Sequence, residues 1–210
     1  MGEIVQGSPE WFAVRLGKVT ASRVADVVAR TKTGFGASRA NYMAELIAER
    51  LTGETAPSFI NDAMRRGTEK EPLARSAYEF RTDTEVMPIG FVIHPTIADS
   101  GASPDGFVGN AGMVEFKCPN TSTHIETILS GDIPTKYITQ MQWQMACTNR
   151  QWCDFVSFDP RMPESMRIYR HRVERDDKII AGLERDVAQF LDEMAHKIAQ
   201  LIAFMEKRAA

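Results

Sequence analysis

The sequence predicts an α/β (α+β) fold, with a central mixed β-sheet of about five strands flanked by helices. Three observations predict it. Residues up to about 80 repeat apolar side chains at helical spacing. Residues 84–173 carry short β-branched runs separated by turn residues. Residues 175–208 keep one unbroken helical stripe. No Pro/Gly/Ser-rich linker divides the chain, so it is expected to form one domain over 1–210: a helical part (1–80), a sheet core (84–173) and a long C-terminal helix (175–208). A chain of 210 residues can bury a sizeable core without disulfide or metal staples.

Each element follows from local chemistry. Ser8-Pro9-Glu10 is a helix start, a capping residue followed by Pro at the first helical position. Thr20 or Ser22 caps a second helix with Val24, Val27 and Val28 on its apolar side. TKTGFGAS (31–38) is expected to be a polar loop. Residues 39–52 form an amphipathic helix on Tyr42, Leu46, Ile47 and Leu51, stopped by Gly53. Residues 58–80 are helical, with a possible break at Gly67. The β-branched run 84–93, broken by Pro88 and Gly90, gives one or two strands. PDGFV, the turn GNAG and MVEFK make a hairpin over 104–117. Two helices (121–130, 135–148) and two strands (152–158, 166–173) precede the last helix, and Met141 and Met145 are expected in the core.

The composition excludes several classes. Hydrophobic residues make up 43% and charged residues 25%, an ordinary soluble balance. The net charge of −3 argues against a protein that coats nucleic acid by charge alone, although local charge matters more than the sum. Cys118, Cys147 and Cys153 supply no C-x-x-C pair and no even framework, so reduced thiols are expected. His94, His124, His171 and His196 lack zinc-ligand spacing. No signal-peptide pattern and no membrane-length apolar run is present, so a cytoplasmic protein with no membrane partner is expected.

The chemistry concentrates in Pro104-Asp105 and, nine residues after Gly106, Glu115-Phe116-Lys117. Alternate residues of a strand share a face. Glu115 and Lys117 therefore point the same way, and the hairpin returns Asp105 beside them. Two carboxylates and an ammonium at one spot suit metal-assisted phosphodiester hydrolysis. Mg²⁺ takes hard oxygen ligands, and one or two carboxylates suffice because it keeps several waters. The backbone carbonyl of Phe116 is a candidate further ligand. Beside two carboxylates Lys117 should stay charged, placing the attacking water and steadying phosphate charge. The same residues also fit a surface hairpin with a cross-strand ion pair.

ASPDGFVGNAGMVEFKCPNTS resembles the core motif of the YqaJ-type viral recombinase family, the lambda-exonuclease-type branch of the PD-(D/E)xK superfamily. WFAVRLGKVTAS, RRGTEKEPLAR, YITQMQWQM, FDPRM and VERDDK are similar to further motifs of that family, in the same order, so the likeness spans nearly the whole chain.

The resemblance implies a restriction-endonuclease-like core and a processive 5′→3′ exonuclease. Such an enzyme degrades one strand of double-stranded DNA from a 5′-phosphorylated end to mononucleotides and leaves 3′ overhangs for phage-type recombination. It implies Mg²⁺, with Mn²⁺ able to substitute and two ions per site. It also implies a ring-shaped homotrimer, a single-strand annealing protein as partner, and a phage or prophage origin in a bacterial host.

Residue by residue, Asp105 and Glu115 would be metal ligands and Lys117 the catalytic lysine. Glu71 would complete the metal and water environment, although Thr68-x-x-Glu71 is equally a capping box. Gln142 would touch the attacking water or the scissile phosphate, unless it is a polar residue on a solvated helix face. Arg15 and Ser22 would hold the 5′-phosphate, unless Arg15 pairs with an acid and Ser22 only caps.

Two departures stand out. Thr123 occupies a position where the lambda enzyme has arginine, and the 31–38 loop is short and weakly basic for strand separation. Arg65, Arg66, Arg161, Arg167, Arg170 and Arg172 are candidates for phosphate contacts. An endonuclease on the same core and a catalytically inactive DNA-binding protein are the alternative readings.

Overall fold

A computed structural model describes residues 4–32, 34–55 and 62–209, with 62–66, 68 and 209 described by backbone alone. The expected break at Gly67 concerns only that backbone, and the side chains of Arg65, Arg66 and Thr68 lie outside the described set.

Helix α1 (Pro9–Arg15) starts as expected, with the Ser8 side chain accepting from Trp11 N. Strand β1 (Val19–Thr20) leads through a 3-10 turn (Ala21–Arg23) into α2 (Val24–Val27). Strands β2 (Arg30–Thr31) and β3 (Gly34–Phe35) pair antiparallel, so a small hairpin stands where a loop was expected. Helix α3 (Ala37–Thr52) ends at Gly53 in the left-handed region, φ 73°. Helix α4 (Asp62–Thr82) runs without interruption through Gly67 and through Pro72. Thr68 and Glu71 therefore sit in mid-helix, and the capping-box reading falls.

The run 84–93, expected to give one or two strands, gives two, β4 (Val86–Met87) and β5 (Val92–Ile93), which join different sheets. Strand β6 (Ser100–Ala102) was not expected, and neither was β1. Two- and three-residue strands show no usable alternation. The hairpin consists of β7 (Gly106–Val108) and β8 (Gly112–Lys117). Helices α5 (Thr121–Ser130) and α6 (Thr135–Thr148), strands β9 (Trp152–Phe158) and β10 (Ile168–Glu174), and helix α7 (Asp177–Ala209) complete the chain.

The main sheet has five strands in the order β10-β9-β8-β7-β4. Its pairs are antiparallel except β8 with β9. A parallel pair needs a crossover, and here α5 and α6 supply it. A second sheet, β1-β6-β5, stands apart. Alternation along β8 divides the core. Val114 and Phe116 meet Ala74 and Tyr78 of α4 on one face, and Met113 meets Met141 and Met145 of α6 on the other. Trp143 and Cys147, on a different face of α6, join a third cluster with α2, α3 and α7. Every residue of α6 from Thr139 to Cys147 is buried. This helix is the partition between the main sheet and the helical layer.

Candidate active site

The register Gly106↔Val114 places Asp105 opposite Glu115, where β7 gives out and β8 continues. Asp105 Oδ2 accepts from Phe116 N at 2.6 Å, so the carboxyl takes the backbone donor that β7 no longer pairs. From α4, Arg75 Nη2 donates to the Asp105 carbonyl at 2.8 Å and lies 3.6 Å from Glu71. Glu71 and Arg75, one helical turn apart, present a carboxylate and a guanidinium to the same loop. The structure thus gathers Asp105, Glu115, Phe116, Lys117 and Glu71.

Glu115 is 2% exposed and held on several sides. Its Oε1 accepts from Lys117 Nζ at 2.5 Å and from Gln140 Nε2 at 2.6 Å. Its Oε2 accepts from Gln144 Nε2 at 2.7 Å. Lys117 Nζ also reaches Gln140 Oε1 at 3.4 Å and lies 4.8 Å from the Tyr137 ring centroid.

Gln142 does not belong to this group. Residues four apart share a helix face and residues two apart do not, so Gln140 and Gln144 face Glu115 while Gln142 turns away. Gln142 Nε2 donates to Glu174 O at 2.8 Å, and its Oε1 accepts from Asp176 N at 2.9 Å. It ties α6 to the start of α7, and the expectation that it touches the reacting groups is corrected. Gln140, Gln144 and Arg75 were not singled out from the sequence. The i, i+4 glutamine pair opposite an internal strand glutamate was the available signal.

The electrostatics follow from crowding. Burial, then the Glu115 and Glu71 carboxylates, push the Asp105 carboxyl well above its ordinary range, against Lys117 and the Phe116 N–H. Glu71 is raised by burial and by Glu115, with Arg75 opposing. Burial disfavours the Lys117 ammonium, but Glu115 and Asp105 outweigh it and the amine is held above its ordinary value. Cys118, beside the site, is pushed up to about 11 by burial and then by Glu71, so it stays a neutral thiol.

Arg15 borders the group through Ser103, two residues before Asp105. Its Nη1 donates to Ser103 Oγ at 3.3 Å, and its guanidinium lies 3.8 Å from the Trp11 ring centroid. Trp11 Nε1 donates to the same hydroxyl at 2.9 Å. Burial lowers the Arg15 pKa, with Tyr42 and Glu49 opposing. Ser22 lies exposed in the 3-10 turn, its hydroxyl 3.4 Å from that of Thr20, and no hydrogen bond joins it to Arg15.

A divalent cation fits this chemistry. Asp105, Glu115 and Glu71 bring three carboxylates against the two cations Lys117 and Arg75, and the buried Asp105 carboxyl has like charges on two sides. Among the described residues no three His, Cys, Asp or Glu side chains form a ready metal cluster. Two carboxylates and a backbone carbonyl still satisfy an ion that retains much of its water.

The comparisons agree with one another. A family model described as the YqaJ-like viral recombinase domain matches residues 10–151. The crystal structure of an alkaline exonuclease, LHK-Exo, from Laribacter hongkongensis is 56% identical, with TM-score 0.89 over 95% of this chain and 99% of that one. The same enzyme in complex with dAMP gives 56% identity and TM-score 0.90 over the same shares. A phage-related exonuclease from Haemophilus somnus 129PT, 16% identical, shares the fold, with TM-score 0.70 over 88% of this chain and 96% of that one. No curated protein sequence gives a significant match. No helix among the described residues is long and apolar enough to cross a membrane. With most of its length matched by the family model and nearly all of it by a 56%-identical relative, the chain belongs to the YqaJ-like viral recombinase family.

Proposed function

We propose that the protein is a divalent-metal-dependent exonuclease that removes nucleotides from one strand of double-stranded DNA, 5′→3′ from a 5′-phosphorylated end, leaving a 3′ overhang. The observation that carries the reading is the convergence of Asp105, Glu115 and Lys117 where β7 ends beside the central strand β8, in a chain 56% identical to an alkaline exonuclease. That relative's complex with dAMP, a mononucleotide, supports stepwise release of single nucleotides.

Asp105, Glu115 and the Phe116 carbonyl would hold the metal, with Glu71 closing its water environment. When bound, Mg²⁺ (or Mn²⁺) supplies Lewis-acid polarisation of the phosphoryl group and acidifies water, whether one ion or two occupy the site. Lys117 stays charged, so it donates to water and phosphate and takes no proton. Gln140 bridges Lys117 and Glu115 and fixes their spacing. Arg75 holds the Asp105 backbone. Arg15, steadied by Trp11 and Ser103, would anchor an end phosphate, and Ser22 would join it only if the 3-10 turn closes over that phosphate. A homotrimeric ring, a single-strand annealing partner and a phage or prophage setting in a bacterial cytoplasm complete the proposal on the strength of family resemblance.

The test is digestion of a linear, 5′-phosphorylated duplex with Mg²⁺ or EDTA, beside a covalently closed circle. Digestion of the linear DNA alone, abolished by EDTA and by Lys117→Ala, supports the reading. Cutting of the circle points to an endonuclease. Absence of any digestion points to an inactive DNA-binding protein.

A further inference from the structure

Two cavities of about 540 and 380 Å³ lie away from the carboxylates, beside the C-terminal half of α4. They share Tyr78, Thr82 and Arg170, so they form one groove between α4, edge strand β10 and the turn of the β7–β8 hairpin. Arg81, Arg170 and Arg172 line it, and among the described residues no Asp or Glu side chain does, in a protein whose net charge is −3.

The arginines are held by a buried anchor. Asp154, 0% exposed, accepts from Arg172 Nε and Nη2 at 2.8 and 3.0 Å, from Tyr78 OH at 2.8 Å and from Arg170 Nη1 at 3.4 Å. One carboxylate thus fixes two guanidiniums, which remain 48% and 42% exposed. Arg172 stacks 3.4 Å from the Trp152 ring centroid. Arg170 and Arg172 are alternate residues of one strand, so they share a face about 7 Å apart. Phosphates along an extended single strand recur at comparable spacing.

The groove also has a path to the chemistry. Glu71, Arg75, Tyr78 and Thr82 recur at helical spacing along the sheet-facing side of α4. The first two stand at the active site and the last two in the groove. Seven residues of helix from Glu71 to Tyr78 span about 10 Å.

We propose that this groove is a track for the phosphodiester backbone of the uncut strand as it leaves the active site. The inference rests on the exonuclease reading. A regularly spaced cationic edge beside an aromatic ring, directly continuous with the active-site helix, favours a nucleic-acid strand over an acidic polypeptide.

The experiment measures anisotropy of fluorescein-labelled duplexes, blunt or carrying an oligothymidylate tail, in EDTA across a salt series. It compares the wild type, Arg81→Gln/Arg170→Gln, and Arg81→Glu alone, which leaves the Asp154 cluster intact. The wild type should bind the tailed duplex more tightly. The double variant should lose that advantage roughly tenfold, and its salt slope should fall by about 0.7 per lost contact. A retained tail advantage and slope in either folded variant overturns the groove assignment. Stronger competition by polyglutamate than by oligothymidylate overturns it too, in favour of an acidic polypeptide. Failure of the wild type to digest any duplex overturns the exonuclease reading instead, which keeps the two questions apart.

Discussion

Substituting Gln142 and Gln144 separately, each by Leu, should damage different properties. Gln142→Leu strips a donor from the Glu174 carbonyl and an acceptor from Asp176 N–H. Each bond contributes about 1 kcal/mol net, so the loss is about 2 kcal/mol. In a chain of this size that lowers Tm by about 4–8 °C. The rate constant at a permissive temperature should hold, because neither bond reaches Glu115. Gln144→Leu removes the donor from Glu115 Oε2, a bond to a charged group worth about 1.5–3 kcal/mol. If that orientation is needed in the transition state, kcat falls about ten- to a hundredfold. The assay pairs calorimetric unfolding with initial rates of nucleotide release from linear duplex at saturating Mg²⁺. The assignment is refuted if Gln142→Leu lowers kcat tenfold or more at unchanged Tm, or if Gln144→Leu leaves kcat within about twofold.

Other outcomes follow from the same geometry. Arg15→Ala should abolish the preference for a 5′-phosphorylated over a 5′-hydroxyl end; equal rates on both ends before and after would remove Arg15 from end recognition. Tyr78→Phe takes a hydroxyl donor from the buried Asp154 and should cost about 1–3 kcal/mol in urea unfolding. Gly112→Ala should be similarly destabilising, about 1–3 kcal/mol, because a Cβ there would meet the Trp152 ring at 2.1 Å. His94, stacked on Trp143 and 3.2 Å from Glu184, has its pKa lowered by burial, against that glutamate. The unfolded chain then binds the proton more readily, so His94 contributes stability above pH 6.5 that is lost as pH falls through 6.5 towards its folded value. His94→Gln should flatten that part of the stability profile, and an unaltered profile would show that His94 does not cause it.

The hairpin of the candidate site was legible because its signals agree. A Gly- and Asn-bearing turn, period-two alternation and a β-branched core face all demand the same geometry, and the register follows from the turn. Glu71 was visible only through family likeness, since its local pattern equally suits a helix start. The structure decides against that start by running α4 straight through Pro72. Gln142 was misplaced because a motif position was transferred without its helical phase. Rotation along α6 from Gln140 would have selected Gln144. The Asp154 cluster was hidden because its members come from residues 78, 154, 170 and 172, and no short window contains that convergence. Strands β1 and β6 owe their pairing to each other and leave no local trace.

Burial of α6 along its whole middle has a kinetic meaning. The helix that supplies both glutamines to Glu115 also divides the main sheet from the helical layer, and it belongs to the crossover that makes β8 and β9 parallel. Its central amides can reach solvent only when the chain opens globally, so they should be among the slowest to exchange hydrogen for deuterium. A folding intermediate that lacks this docked helix has the hairpin but no oriented glutamate. A chain in which α6 has not docked would therefore lack the oriented Glu115 on which the proposed activity depends.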